Sequence, residues 1–171
     1  MAIDAFLYFK DKKSVKGESL DSDMSLKEAF EIKDFSFSVK QALSIGSFSG
    51  GGGAGKADFE EFEFTKRTDT ASCPMFLSLC AGTHFAEAFL EIRRAGASNN
   101  KSGGTFMMIQ FKMVMIAQMG WTAGEDSLDE KVNFQFGAIK IEYKKQNMDG
   151  TLTSAGNAEW SRTKNSQVYM I

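Results

Sequence analysis

Polar and apolar side chains alternate in several short stretches of the chain. Phe and Val alternate with Ser and Lys over residues 35–40, and the same alternation returns over residues 61–65, 131–136 and 139–144. A period of two places one face of a β-strand on a core and the other in water. The pattern therefore predicts half-buried strands in these four stretches.

The phase of this alternation changes at one glycine. Apolar side chains occupy even-numbered positions before Gly137 and odd-numbered positions after it. Such a slip of one residue at a glycine predicts a β-bulge. Phe59 is likewise out of phase with Phe62, which predicts a second bulge at Glu60.

One segment, about Cys73 to Ala81, carries the signals of a short α-helix. Ser72 is suited to be its N-cap, Pro74 falls in the first turn, and Gly82 is suited to end it. Apolar side chains surround most of the helix axis, so we expect the helix to be covered on two sides.

Two further segments, Phe6 to Phe9 and Phe106 to Ile116, are apolar on both strand faces. The methionines of the second also suit a buried helix, whereas its Ile, Val and Phe content favours a strand. A small β-rich chain has too little material to cover both faces of long strands, so a neighbouring subunit is the expected cover. The candidates for the subunit interface are Met107, Val114, Ile116 and, on the helix, Phe76.

Turn signals separate these elements. Gly50 to Gly55, Ala95 to Gly104 and Thr122 to Ser127 have the composition of loops, and Asp149-Gly150 is typical of a hairpin turn. With 171 residues, 43% of them hydrophobic, the chain can form one core. We therefore expect a mainly β protein with a single domain spanning residues 1–171.

Composition narrows the possible partners. The net charge is -2, so no bulk positive field attracts a nucleic acid. Cys73 and Cys80 lie about 10 Å apart on a helix, too far for a disulfide, which indicates folding in a reducing cytosol. No signal peptide is apparent, and Thr105 to Trp121 is too polar to span a bilayer. We expect a soluble protein without membrane insertion.

The string Gly50 to Lys56 resembles a phosphate-binding loop, G-x-x-x-x-G-K. Ala57 stands where the pattern requires a hydroxyl for magnesium, and residues 57–66 alternate as a strand where a helix should begin.

His84 is the single histidine, and only Cys80 lies near it in the sequence as a partner for a thiol-imidazole pair. We therefore expect no cofactor, no metal and no enzymatic activity.

Several short sequence strings occur in a specific order along the chain. They are Met1 to Phe6, Lys16 to Ser19, Gly50 to Lys56, Phe64 to Lys66 before Asp69, Cys80 to His84, Ile92 to Gly96, Gly137 to Tyr143, Trp160 and Asn165. Together they resemble the hemolysin-coregulated protein (Hcp) family, the tube subunit of type VI secretion systems. The resemblance extends through almost the whole chain.

This resemblance implies a two-sheet antiparallel β-barrel with a flanking helix, assembled as a hexameric ring. Rings would stack into a hollow tube that a contractile sheath ejects, with sheath proteins, a spike protein and small effectors as partners. Such a protein is made in the bacterial cytoplasm and secreted without a cleaved signal peptide. The alternatives are a monomeric β-barrel that binds a small ligand and, less favoured, a hydrolase built on Cys80 and His84.

The resemblance also implies roles for particular residues. The loop from Ser44 to Lys56 would contact the next ring, and its candidate residues are Ser47, Gly50, Gly51, Gly52, Gly53, Gly55 and Lys56. Ser36 and Ser38 are candidates to line the tube. The chain departs from the family pattern at Glu159, at Lys144-Lys145 and in a short loop after Trp121.

Overall fold

The computed structural model describes residues 3–10, 15–44, 53–94 and 104–171. Eleven strands, one α-helix and one 3-10 turn, Ser25–Lys27, are formed within these ranges. The helix α1 is Ser72–Ala81. The strands are β1 Ile3–Lys10, β2 Phe30–Ile32, β3 Asp34–Ser36, β4 Val39–Ser44, β5 Gly53–Phe59, β6 Phe62–Arg67, β7 Phe85–Arg94, β8 Thr105–Ala123, β9 Leu128–Gln135, β10 Ala138–Gln146 and β11 Leu152–Ser161.

All strand pairs in the described ranges are antiparallel, in the order β2-β1-β7-β8-β9-β6-β3. The long β8 also pairs with β10 through residues 107–112 and with β9 through residues 115–123, and β11 extends the sheet beyond β10. Strands β4 and β5 form a separate hairpin. The prediction of a mainly β, antiparallel fold with one short helix is confirmed.

Among the described residues the strand pairing does not close into a barrel, which corrects the expectation of a closed barrel. The two ends of the strand order, β2 and β3, are consecutive along the chain with Lys33 between them. Strand β2 pairs with β1 and β3 pairs with β6, and these two short strands form no ladder with each other. At Lys33 the chain therefore passes from pairing with β1 to pairing with β6. A 2.8 Å hydrogen bond from the Lys33 N–H to the Thr65 carbonyl holds this connection.

Gly137 is not a bulge inside a strand, and the long apolar strand β8 changes phase at Met113 without a shift in its pairing with β7. Buried side chains change there from Ile109 and Phe111 to Val114 and Ile116, and Met113 has a φ of 52°. Gly137 lies between β9 and β10 and donates its N–H to the Lys112 carbonyl at 2.8 Å. The change of phase at Gly137 therefore marks the end of β9 and the start of β10. Residue 60 likewise lies between β5 and β6 and not inside a bulged strand.

Phenylalanine rings fill the core. Phe62, Phe64, Phe111 and Phe134 are fully buried, and the Phe62 ring centroid lies 4.9 Å from that of Phe134 and 5.1 Å from that of Phe111. The predicted strands at residues 61–65, 131–136 and 139–144 supply this core and are confirmed. The strand predicted over residues 35–40 is interrupted after Ser36, which leaves nearly half of the side chain of Val39 exposed.

The second face of β1 is covered by the chain itself and not by a neighbouring subunit. Met24 and Ala29, both fully buried, pack against Phe6. They belong to the segment between β1 and β2, of which residues 15–29 are described. The expectation that the Phe6 to Phe9 face needs an external cover is therefore corrected.

A buried carboxylate fastens this covering segment to the sheet. Glu91 of β7 accepts hydrogen bonds from Lys27 of the covering segment, from the Tyr8 hydroxyl at 2.8 Å and from the Thr105 hydroxyl at 2.8 Å. Burial alone would raise the pKa of Glu91, but these three donors outweigh it and hold the pKa below its ordinary value. Arg93, two residues along β7, adds ion pairs with Asp21 and Asp23.

Helix α1 ends at Gly82 as predicted, with φ 61° in the left-handed region. Its start differs from the prediction, because Ser72 is the first helical residue and not the N-cap. The Ser72 hydroxyl accepts the Asp69 N–H at 3.0 Å and the Asp69 carboxylate accepts the Ala71 N–H at 2.9 Å. These bonds order the turn before the helix. No helix in the described ranges is long and apolar enough to cross a membrane.

Lys66 of β6 lies at the base of this helix. Its ammonium group is fully buried, 2.6 Å from Asp69 Oδ1 and 2.7 Å from Glu130 Oε1. Glu130 is directly opposite Lys66 across the β6–β9 pair and is also fully buried. The three side chains form an internal ionic cluster that joins β6, β9 and the start of α1.

Candidate assembly surfaces

Helix α1 exposes several of its apolar side chains. It buries Ser72, Met75 and Ser78, whereas Phe76 is 44% exposed and Leu77 is 65% exposed. Cys73 and Cys80 are also exposed, and the helix carries no charged side chain. An uncharged helix that exposes several large apolar residues presents a surface suited to contact with a protein.

Strand β8 continues this apolar surface. The Trp121 side chain is 43% exposed, and its ring centroid lies 6.0 Å from that of Phe76. Leu128, at the start of β9, is 46% exposed and pairs with Ala123. We define the helix surface as Cys73, Phe76, Leu77, Cys80 and Trp121.

The interface candidates on β8 divide into two groups. Val114 is fully buried and Ile116 nearly so, both within the core of the chain, which corrects their assignment to a subunit interface. The strand phase reverses at Met113, so Met113 and Met115 are exposed in their place. Met107 is half-buried against the core.

The two serine candidates for the tube lining lie in different surroundings. Ser36 is exposed on β3 and pairs with Glu63, which pairs in turn with Asn133. The Asn133 amide donates to Glu63 at 3.3 Å, so Ser36 belongs to a polar, cross-linked sheet face. Ser38 lies outside the strands, where its hydroxyl donates to Glu60 at 2.5 Å.

The glycine-rich segment joins the two strands of a hairpin. Strand β4 reaches Ser44 and β5 begins at Gly53, so Gly53, Gly55 and Lys56 belong to a strand. Ser47, Gly50, Gly51 and Gly52 lie outside the described residues. Because Lys56 is in a strand, it does not have the helix N-terminus that a phosphate-binding loop requires.

Cys80 and His84 lie on opposite sides of the helix end at Gly82, and both side chains are exposed. A thiol activated by an imidazole normally needs the two groups within hydrogen-bond reach in a sheltered site. The exposure of both residues provides no such shelter.

Comparison with known proteins identifies the family. Residues 6–143 match the sequence model of the family described as type VI secretion system effector, Hcp. The protein hcp1 of Pseudomonas aeruginosa is 33% identical over 153 residues, which cover 88% of each chain. The chain belongs to the Hcp family.

Solved structures agree on the fold. A structure described as a type six secretion system protein shares 24% identity with a TM-score of 0.85, covering 98% of this chain and 100% of that one. Hcp1 from Salmonella typhimurium shares 22% identity with a TM-score of 0.75, covering 98% and 100% of the two chains. The chain thus has the β-rich fold of these structures, as the sequence resemblance implied.

The C-terminal hairpin forms although it departs from the Hcp pattern. Strands β10 and β11 pair from Ala138 opposite Ser161 to Gln146 opposite Leu152. The strand register shifts between Tyr143 and Lys144, next to the unusual lysine pair. Glu159 lies directly opposite Lys140, where its charge is complementary.

Sequence analysis missed most of the helix surface in this Hcp chain. It named Phe76 but omitted Leu77 and Trp121. The helical spacing was available as a signal, because Cys73, Phe76, Leu77 and Cys80 lie at positions i, i+3, i+4 and i+7. The position of Trp121 required the structure, since it lies on a strand distant in sequence.

Proposed function

We propose that this Hcp chain, acting as one domain, is a subunit of the inner tube of a type VI secretion system. Six copies form a ring, and rings stack into a hollow tube that carries small effectors. Sheath and spike proteins are the proposed partners. The chain is made in the bacterial cytoplasm, leaves without a cleaved signal peptide and catalyses no reaction.

The observation that carries the proposal is the helix surface. Phe76, Leu77 and Trp121 are each more than two-fifths exposed and lie around an element without charge. In a monomer these side chains would expose a contiguous apolar patch to water, which is unfavourable and promotes aggregation. Packing against another copy in a closed ring removes this surface from water while keeping the particle finite. Met107 remains a further candidate for the same interface.

The polar sheet face is the proposed lining of the tube. The row of Ser36, Glu63 and Asn133 runs across three strands, and Lys131 adds an ion pair with Glu63 at 2.8 Å. Such a hydrogen-bonded, hydrated face gives an effector no large apolar surface to adhere to. Ser38 is the second candidate for the lining.

The hairpin loop is the proposed contact between rings. Glycine residues accept positive φ angles and permit close approach of two backbones. We propose that the segment from Ser44 to Lys56 contacts the next ring. Deleting residues 51–53 should then prevent tube formation and leave single rings intact.

The helix surface can be tested with a matched pair of variants. Leu77→Glu places a charge in the proposed contact, and we expect it to convert rings into smaller species. Leu20→Glu makes the same change at a leucine that is 99% exposed outside the helix surface, and we expect its rings to be intact. Light scattering after size-exclusion chromatography reports both masses. Intact rings for Leu77→Glu would remove this helix from the interface.

The lining is tested separately from assembly. Ser36→Gln enlarges an exposed polar side chain, so effector binding should change while the ring mass does not. Loss of the ring in this variant would place Ser36 at a contact between subunits.

A further inference from the structure

An open cavity of about 560 Å³ lies beside the β9–β10 connection, where Gly137 is hydrogen-bonded to Lys112 of β8. Met113 and Met115 form one wall, and Phe59 and Phe136 form another beside Arg162. Its volume is within the range of small-molecule sites, which are usually apolar with a few polar groups. Of the residues proposed for assembly, Lys56 alone also lines this cavity.

Arg162 is the polar group that distinguishes this site. Its guanidinium carbon lies 5.5 Å from the Phe59 ring centroid and 5.2 Å from that of Phe136. One N–H group donates to the Phe136 carbonyl at 2.9 Å. Burial lowers the pKa of this guanidinium, and the nearby Asp58 carboxylate opposes that effect.

The guanidinium has unused binding capacity. An arginine offers five N–H donors in a planar fork, suited to a carboxylate or phosphate. No ion pair joins Arg162 to a carboxylate among the described residues. A half-buried cation between two aromatic rings gains from an anion that enters the cavity, because its own hydration is incomplete.

The other charged side chains on the cavity are Lys56 and Asp58. Together with Arg162 they give the lining a net charge of one positive unit, which suits a ligand with a single anionic group. The thioether walls are adaptable, since methionine packs against many apolar shapes. Met113 and Met115 are 41% and 40% exposed, so their side chains are accessible to an acyl chain.

We propose that this cavity binds an anionic amphiphile, in which a carboxylate or phosphate head pairs with Arg162 and a short acyl chain packs on Met113 and Met115. The head takes the free donors of the guanidinium fork. The acyl chain of the ligand covers exposed thioether and aromatic surface. This binding does not depend on ring or tube formation.

Isothermal titration calorimetry with the whole chain tests the proposal. The probes are decanoate and decyl phosphate, each below its micelle concentration, with decanol and decyltrimethylammonium as comparison compounds. We expect saturable binding of at least one anionic probe, and binding at least tenfold weaker for the comparison compounds. Which anionic probe binds better distinguishes a carboxylate from a phosphate ligand.

Three variants locate the site. Arg162→Gln should weaken binding at least tenfold, whereas Arg67→Gln, which removes an exposed arginine elsewhere, should not change it. Met115→Glu places a carboxylate beside the cavity at an exposed position, and we expect it to abolish binding at an unchanged melting temperature. The proposal is overturned if decanol binds as well as decanoate, if neither anionic probe binds at 1 mM, or if Met115→Glu binds normally.

Discussion

Replacing Lys66 with alanine should cost far more stability than its position in a polar stretch of sequence suggests. The variant leaves the Glu130 carboxylate fully buried and the Asp69 carboxylate almost so, without the ammonium that lies 2.7 Å and 2.6 Å from them. Removing one partner of a buried ion pair typically costs about 3–5 kcal/mol, because the remaining charge is uncompensated. No described donor hydrogen-bonds Glu130 Oε2, so the fold offers this carboxylate no substitute.

Urea denaturation at one fixed protein concentration measures this loss. With a denaturant slope of about 2 kcal/mol per molar, a loss of about 4 kcal/mol lowers the unfolding midpoint by about 2 M. Lys131→Ala is the matched control, since Lys131 is the neighbouring lysine of the same strand pair and forms a 2.8 Å ion pair with Glu63 at the surface. That exposed pair should contribute about 0–1 kcal/mol.

A double variant separates charge from packing. Lys66→Met with Glu130→Leu replaces the pair with apolar side chains, and we expect it to recover at least half of the stability lost by Lys66→Ala. If Lys66→Ala lost no more stability than Lys131→Ala, the ionic cluster would not be a significant source of stability and the reasoning would be refuted.

Two further predictions concern the segment that covers β1. Gly17→Ala should destabilise the protein strongly, since an added Cβ would lie 2.3 Å from the Ala29 carbonyl oxygen; thermal unfolding checks this, and an unchanged midpoint would contradict it. Glu91→Gln should reduce the loss of stability in acid. The pKa of Glu91 is lowered in the fold, so its contribution is present above the ordinary glutamate pKa and disappears as pH falls through the folded value. Urea midpoints at pH 7 and pH 3 should therefore differ less in the variant than in the wild type, and an equal difference would exclude Glu91 as a source of the acid sensitivity.

The strands that sequence predicts best are those with a strict alternation. Phe62 and Phe64 of β6, and Phe134 of β9, are all fully buried as their phase required. Continuing the same alternation along each strand also places Lys66 and Glu130 on the core face. Sequence analysis overlooked this signal because lysine and glutamate are seldom buried unless paired. Their pairing across a separation of 64 positions is visible only in the sheet.

The apolar run of β8 shows why other features could not be predicted. Where neighbouring positions are all Met, Val, Ile or Phe, no polar residue marks the strand phase. The change of phase at Met113 therefore could not be predicted, and Val114 and Ile116 were assigned to the wrong face. The cover over Phe6 depends on long-range contacts from Met24 and Ala29, which local patterns do not report.

The central claim, that this Hcp chain assembles into a six-membered ring, is tested most directly by the mass of the purified protein. Size-exclusion chromatography with multi-angle light scattering should give about six times the subunit mass of 18.9 kDa. A closed ring would cover the helix surface formed by Phe76, Leu77 and Trp121 on every copy. A monodisperse species of 18.9 kDa at micromolar concentration would contradict the account.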